Sequence, residues 1–302
     1  MRARSVVGLL CFLTVGCGGM ADPDVETSSS ALKKRPGRDR CAVRPPSAAD
    51  QEAIERDLSA STAQAKATAG VITVPVHFHV VITSEGVGDV SSLIPAQMEV
   101  LNAAYASAGF QFQLVSQEVV TNDAWYFSVL GSAEEQDMKA SLRQGGANAL
   151  NFYTTAGDIY LGWATFPKWY QPLGFYDGVV VWWASLPGTG LKIPVDPELE
   201  PDGLIEYDLG DTGTHEVGHW LGLYHTFEGA CNKNGDRIDD TPAEFEPQFF
   251  CVERDSCTGK KFPGSDPIHN FMDYVDDACM DQFTGDQHER MRKQWDIYRA
   301  RG

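Results

Sequence analysis

The spacing of apolar and polar positions divides the chain into three stretches. Val6 to Val15 is a continuous apolar run behind Arg2 and Arg4, too short to span a bilayer. Residues 20 to 47 are polar and rich in Ser, Pro and Arg, a composition that stays disordered unless it docks. Ala48 to Ala67 is helix-prone. From Val71 onward the pattern is that of a packed domain. Val71 to Thr83 alternates and is β-branched, which predicts a strand. Pro95 to Ala108 predicts a helix ended by Gly109, and Phe110 to Val120 a strand. Ala133 to Arg143 reads as a short helix. Asn148 to Tyr153, Ile159 to Ala164 and Gly178 to Ala184 read as strands, the last apolar enough to be buried on both faces. Thr212 to Tyr224 and Gly285 to Arg299 are helical. This order implies an α+β fold, a twisted mixed sheet backed by helices.

The helix predicted from Thr212 carries chemistry. His215-Glu216-Val217-Gly218-His219-Trp220-Leu221-Gly222-Leu223-Tyr224-His225 is an uninterrupted H-E-x-x-H-x-x-G-x-x-H. Catalytic zinc takes three protein ligands and keeps one position open. His215 and His219 are four apart, so they share one helix face. Glu216 follows the first ligand and can act as general base on the attacking water. Gly222 lets the chain leave the helix with positive φ and swing His225 back as third ligand. His77 and His79 share a strand face, but with the triad complete they read as structural.

Seven cysteines bear on compartment and control. The run Leu13 to Gly19 puts a small residue before Cys17 and looks like a bacterial lipoprotein box, with Thr14 where leucine usually stands. Residues 1–16 therefore read as a signal segment with Cys17 the first mature residue, open to lipidation; Cys11 is lost with it. Cys231, Cys251, Cys257 and Cys279 allow three pairings in an oxidising compartment. Cys41 stands alone among Arg38, Arg40 and Arg44. A thiolate is a good zinc ligand and flanking arginines favour it, so Cys41 can close the open zinc position and hold the chain latent. Residues 17–70 then form a prosegment or linker and 71–302 the catalytic domain.

Charge is uneven: residues 1–70 carry a net +2 and residues 71–302 a net −20. The acidic domain repels nucleic acid and anionic membranes, leaving a lipid on Cys17 as the only membrane attachment, and it favours basic peptides or calcium. After His225, Asp236, Asp239, Asp240, Thr241 and Glu244 crowd an irregular loop, the oxygen-rich set a hard cation wants.

The zinc motif and the methionine turn Asn270-Phe271-Met272-Asp273-Tyr274 resemble the metzincin metallopeptidases. Thr214 to Phe227, Asp240-Thr241-Pro242 and Asn270 to Met280 resemble the pappalysin family within them, as do Gly162 to Pro167 and Asp177 to Val181. The resemblance covers roughly 71–302. It implies a metzincin-like zincin, with the sheet in an upper subdomain, an active-site helix, and a smaller, irregular, disulfide-linked lower subdomain with a C-terminal helix. It implies zinc on His215, His219 and His225, Glu216 as base, Met272 as floor beneath the metal, and the Tyr274 hydroxyl nearby. It favours disulfides Cys231–Cys257 and Cys251–Cys279, structural calcium after His225, and a cysteine switch at Cys41, although alanine follows Cys41 where glycine is usual. By the same resemblance, the chain after the methionine turn is expected to wall the pocket for the residue following the scissile bond, with Asp277 rather than Asp276 facing it, which implies cleavage before Arg or Lys.

Together these features describe a secreted or envelope-anchored zinc endopeptidase, a monomer made latent, acting on peptides or proteins. Gly162 to Phe166 is expected to be an exposed edge strand that pairs with substrate backbone. The competing class is a non-enzymatic surface lipoprotein that keeps a structural zinc. Glu216 argues against it, because a structural site needs no base.

Overall fold

A computed structural model describes residues 39–61, 70–194, 204–232 and 235–300. The expected signal segment, Cys17, and residues 62–69 on which the prosegment boundary turns lie outside the described residues. In chain order the described elements are β1 (Asp39–Cys41), α1 (Ala48–Ser61), β2 (Ile72–Ile82), α2 (Ile94–Tyr105), β3 (Phe110–Thr121), α3 (Asp123–Tyr126) and α4 (Ala133–Leu142). There follow β4 (Leu150–Thr155), β5 (Tyr160–Ala164), α5 (Tyr170–Leu173), β6 (Val179–Trp182), β7 (Lys192–Pro194), β8 (Leu204–Glu206), α6 (Asp211–Trp220) and α7 (Gly285–Gln294).

Six strands form one mixed sheet in the order β1-β5-β6-β4-β2-β3. The pairs β3–β2, β2–β4 and β4–β6 are parallel, β6–β5 is antiparallel, and β5–β1 is parallel again. β2, between β4 and β3, buries Val74, Val76, Phe78 and Val80 completely, and Val179–Val181 of β6 are buried as well, with α6 packed on that strand. His77 and His79 are satisfied within the sheet: His77 meets Ser116, and His79 lies between Glu118 and Asn151. The short helices α3 and α5 and the β7–β8 hairpin lay below what periodicity signals.

The edge expectation needs correction. β5 is not exposed: β1 lies along its outer side, with Cys41 opposite Gly162 and the Ala42 amide donating to the Gly162 carbonyl at 3.0 Å. The polar stretch before residue 47 thus docks, from Asp39 on, as a strand. Below the sheet, α6 packs on α2, where the Tyr105 hydroxyl donates to the Thr214 carbonyl at 2.7 Å. Among the described residues from Leu221 to Thr284 there is no regular helix or strand, and the stretch is stapled by Cys231–Cys257 and Cys251–Cys279. A capping box of Thr284 and Gln287 then starts α7.

Candidate active site

The zinc helix ends earlier than its apolar pattern predicts. α6 stops at Trp220 rather than Tyr224, because Gly222 takes φ +99° and the Leu223 and Gly222 amides turn back to the Gly218 and His219 carbonyls. This is a Schellman closure. A β-carbon on Gly222 would sit 2.5 Å from the Gln294 amide carbon, so packing as well as backbone requires glycine here. The reversal brings His225 beside the two helical histidines.

The three rings converge. His219 Nε2 lies 3.2 Å from His215 Nε2 and 3.0 Å from His225 Nε2. His215 Nδ1 meets the Phe271 carbonyl at 2.7 Å, and His219 Nδ1 the Leu223 carbonyl at 2.8 Å. A carbonyl only accepts, so each Nδ1 holds the ring proton and each Nε2 offers a lone pair. Burial lowers the pKa of all three, with His219 down to about 4, so the rings stay neutral. Buried lone pairs facing one another at contact distance repel unless a cation lies among them, and the residues fit zinc. Cys41 Sγ joins them: the four ligand atoms lie within 4.8 Å of one another.

Glu216 is fully buried, and neither carboxylate oxygen meets a nitrogen or oxygen donor among the described residues. Burial pushes its carboxyl up to about 8, opposed by the neighbouring Cys41 thiol and Arg40. β5 passes so close that a β-carbon on Gly162 would be 2.8 Å from Glu216 Cγ. Met272 is wholly buried beneath the helix, its amide held by the Asn270 side chain. The Tyr274 hydroxyl is 3.2 Å from His225 Nε2 and donates to the Cys41 carbonyl at 3.2 Å.

Residues 205–296 match the model of the pregnancy-associated plasma protein-A family. An extracellular metalloprotease of Colletotrichum graminicola is 41% identical over 237 residues, covering 76% of this chain and 78% of that protein. The chain belongs to the pappalysin family. A second extracellular metalloprotease, from Neurospora crassa, is 40% identical over 266 residues, 83% of each chain. Among solved structures, a promirolysin mutant from Tannerella forsythia superposes with TM-score 0.65 at 25% identity, over 87% of this chain and 96% of that one. Mature mirolysin in complex with a cleaved peptide gives 0.59 at 28% identity, over 77% and 98%. This pappalysin is a zinc metallopeptidase with the metzincin fold, and the non-enzymatic alternative is set aside.

Beside its zinc site, this pappalysin buries an ion pair that joins two remote segments. Arg40 is 1% exposed, and its Nη2 donates to Asp277 Oδ1 at 3.1 Å and its Nη1 to the Val275 carbonyl at 2.8 Å. Asp277 Oδ2 accepts from the Leu209 and Asp211 amides at the start of α6. Asp276, the other candidate, instead accepts from the Cys279 amide.

The acidic loop divides. Asp236, Asp239, Asp240 and Thr241 line a cavity of about 220 Å³. Asp240 also accepts from the Asp286 amide, capping α7. Glu244 does not line that cavity. Its carboxylate takes the Thr226 hydroxyl and the Arg254 guanidinium, so sequence proximity overstated the set.

Sequence reasoning noted Arg40 only as a charge beside Cys41 and missed Asp177 and Arg299. Arg299 donates to Asp177 and to the Trp220 carbonyl at the end of the zinc helix, across separations that leave no local signal.

Proposed function

We propose that this pappalysin is exported as a latent zymogen and, once residues 17–70 are removed, cleaves peptide bonds on the amino side of Arg or Lys. One observation carries the reading: Arg40 and Cys41 sit side by side, the guanidinium on Asp277 and the thiol on the three histidines. A chain that holds its own arginine in the pocket walled by residues 275–277 displays the side chain that pocket recognises. The same contact keeps substrate out. Buried Asp277 costs free energy unless paired, and guanidinium is the natural partner of a carboxylate.

His215, His219 and His225, with Cys41 as a fourth ligand in the zymogen, would hold zinc, which would supply the Lewis acidity to polarise a carbonyl and lower the pKa of water. In the mature enzyme Glu216 takes the proton of the attacking water and passes it to the leaving amine. The Tyr274 hydroxyl, which donates to the Cys41 carbonyl here, donates in catalysis to the scissile carbonyl. β5, freed of β1, pairs with substrate backbone.

Export is supported by the extracellular naming of both fungal relatives and by the two disulfides, with Cys17 the residue for lipid attachment. Calcium belongs to the same reading, on Asp236, Asp239, Asp240 and Thr241 without Glu244. The decisive experiment compares peptide-library cleavage by the full-length chain and by chain cut between residues 61 and 71. A full-length chain as active as the cut one, with Cys41 unmodified, ends the zymogen reading. A cut chain indifferent to Arg and Lys ends the specificity reading. Mass spectrometry of the mature N-terminus reads Cys17 directly.

A further inference from the structure

The prosegment makes two contacts, and only one of them blocks the zinc. Seven residues beyond Cys41 the chain enters α1, which docks on a different surface. α1 buries Ile54 and Leu58, four apart on one face. Glu55 receives Arg290 at 2.8 Å, and Asp57 receives both Lys168 at 2.8 Å and the Tyr298 hydroxyl at 2.7 Å. The receiving groups are built in place. Arg290 also donates to the Gly222 carbonyl and lies over the Tyr224 ring, and Lys168 lies over the Tyr298 ring.

At its contacts the charge of this face runs against that of its domain. Residues 71–302 carry a net −20, yet the side chains that bond the α1 carboxylates Glu55 and Asp57 are an arginine, a lysine and a tyrosine hydroxyl. α1 is their complement, with Asp50, Glu52, Glu55 and Asp57 against one Arg56. A cavity of about 560 Å³ continues the surface beside Glu55 and Leu58, and there the charge is mixed, with Arg237, Arg290 and Lys293 against Asp239, Asp286 and Glu289.

Position gives the face its use. Arg40 occupies the pocket assigned to the residue after the scissile bond, so residues 42–61 leave the zinc on the opposite side, where residues before that bond lie. We infer that the surface under α1 is an exosite of the mature enzyme, which captures an acidic amphipathic helix upstream of the cleavage point in its protein substrates. This rests on the reading that residues 17–70 are removed. The contact involves two apolar side chains and partly exposed ion pairs, so its affinity alone is low. Tethered to a scissile segment, it acts by raising effective concentration and lowers KM rather than raising kcat.

The test uses folded, zinc-loaded full-length chain cut between residues 61 and 71 and separated from its prosegment. Two substrates share one Arg-containing core. One also carries the Ala48–Ser61 sequence upstream, through a Gly/Ser spacer of about 15 residues that lets the helix dock in either polarity. The tailed substrate is expected to exceed the bare core in kcat/KM by about tenfold, through KM. The ratio falls to about one with Lys168→Glu enzyme and recovers when the tail carries Asp57→Lys, as expected of a contact set by charge complementarity. A ratio near one with unaltered enzyme, or a raised ratio insensitive to Lys168→Glu, overturns the exosite. Fluorescence anisotropy of a labelled Ala48–Ser61 peptide, with enzyme titrated to concentrations high enough to populate a weak contact, reads the same surface independently of cleavage: absence of binding even there, or binding unaffected by Lys168→Glu, also overturns it. Failure to cut the bare core indicts the peptidase reading instead, and the anisotropy still decides the exosite.

Discussion

Gly218 lies against Met272 so closely that a β-carbon on the glycine would stand 2.4 Å from the methionine sulfur. The methionine turn and the zinc helix are therefore in contact through a residue between two metal ligands, and Met272 is fully buried. Gly218→Ala is expected to displace one of the two. Overpacking of this kind costs about 1–3 kcal/mol. Because the strain falls between His215 and His219, kcat/KM should drop by more than the loss of folded protein accounts for. Thermal melts with active-site titration measure both; a variant with wild-type kcat/KM would show that the contact does not position the ligands.

Glu216→Ala tests the base. All three histidines remain, so zinc stays near one per chain in the processed variant while peptidase activity disappears. Removing a general base costs typically 10² to 10⁴ in rate, so activity retained at a tenth of wild type would take Glu216 out of the role. His225→Ala should instead lower metal content and activity together, measured by elemental analysis beside the assay.

The zinc constellation was legible because its geometry is local. His215, Glu216 and His219 share one helix by spacing alone, and Gly222 announces the turn that returns His225. The exact helix end was misread because Leu221, Leu223 and Tyr224 continue the apolar pattern, while Gly222 and its closure override it. Asp277 was visible only through family likeness, and its partner Arg40, 237 positions away, by no local rule. Length blurred the acidic loop as well: Glu244 is near Asp240 in sequence, yet Arg254 and Thr226 claim it.

Latency should depend on Arg40 as well as Cys41. Arg40→Ala in the full-length chain leaves Asp277 buried without its cation, a loss of about 3–5 kcal/mol for a buried pair broken on one side. The prosegment strand should then release, and the uncut chain should cleave peptides. Cys41→Ala should activate too, but with Asp277 still paired. Peptide hydrolysis by the uncut variants checks this; two silent variants would place latency elsewhere.

Calcium should stabilise the protein in a pH-dependent way. Burial raises the Asp236 carboxyl from 3.8 to about 7. Below pH 4 the group is protonated whether folded or unfolded. Between pH 4 and 7 the folded state holds a proton that the unfolded state has released, so stability falls as pH rises through that window. Above 7 the folded protein carries the buried charge in full, and a cation there relieves it. Calcium should thus raise the melting temperature more at pH 8 than at pH 5, and Asp236→Asn should flatten the difference. An equal shift at both pH values would remove Asp236 from the site.

The C-terminal Arg299 should prove to be a clamp on the zinc helix. Its guanidinium is fully buried, 3.1 Å from each Asp177 oxygen and 3.6 Å above the Trp220 ring, with Nε donating to the Trp220 carbonyl. Asp177 in turn accepts from Trp220 Nε1 and from Thr165, so one carboxylate ties the start of β6, the chain after β5 and the end of α6 together. Arg299→Ala strands the Asp177 charge and opens the last turn of α6. The expected loss is about 3–5 kcal/mol, the range for a buried pair broken on one side. The double variant Asp177→Asn with Arg299→Met removes both charges, keeps an acceptor for Trp220 and fills the volume. It should recover a large part of that loss, because the charge rather than the contact makes the single variant severe. Denaturant unfolding of the single and double variants measures the difference. An Arg299→Ala loss below about 1 kcal/mol, the size of an exposed pair, would mean that the helix end is held by its Schellman turn alone.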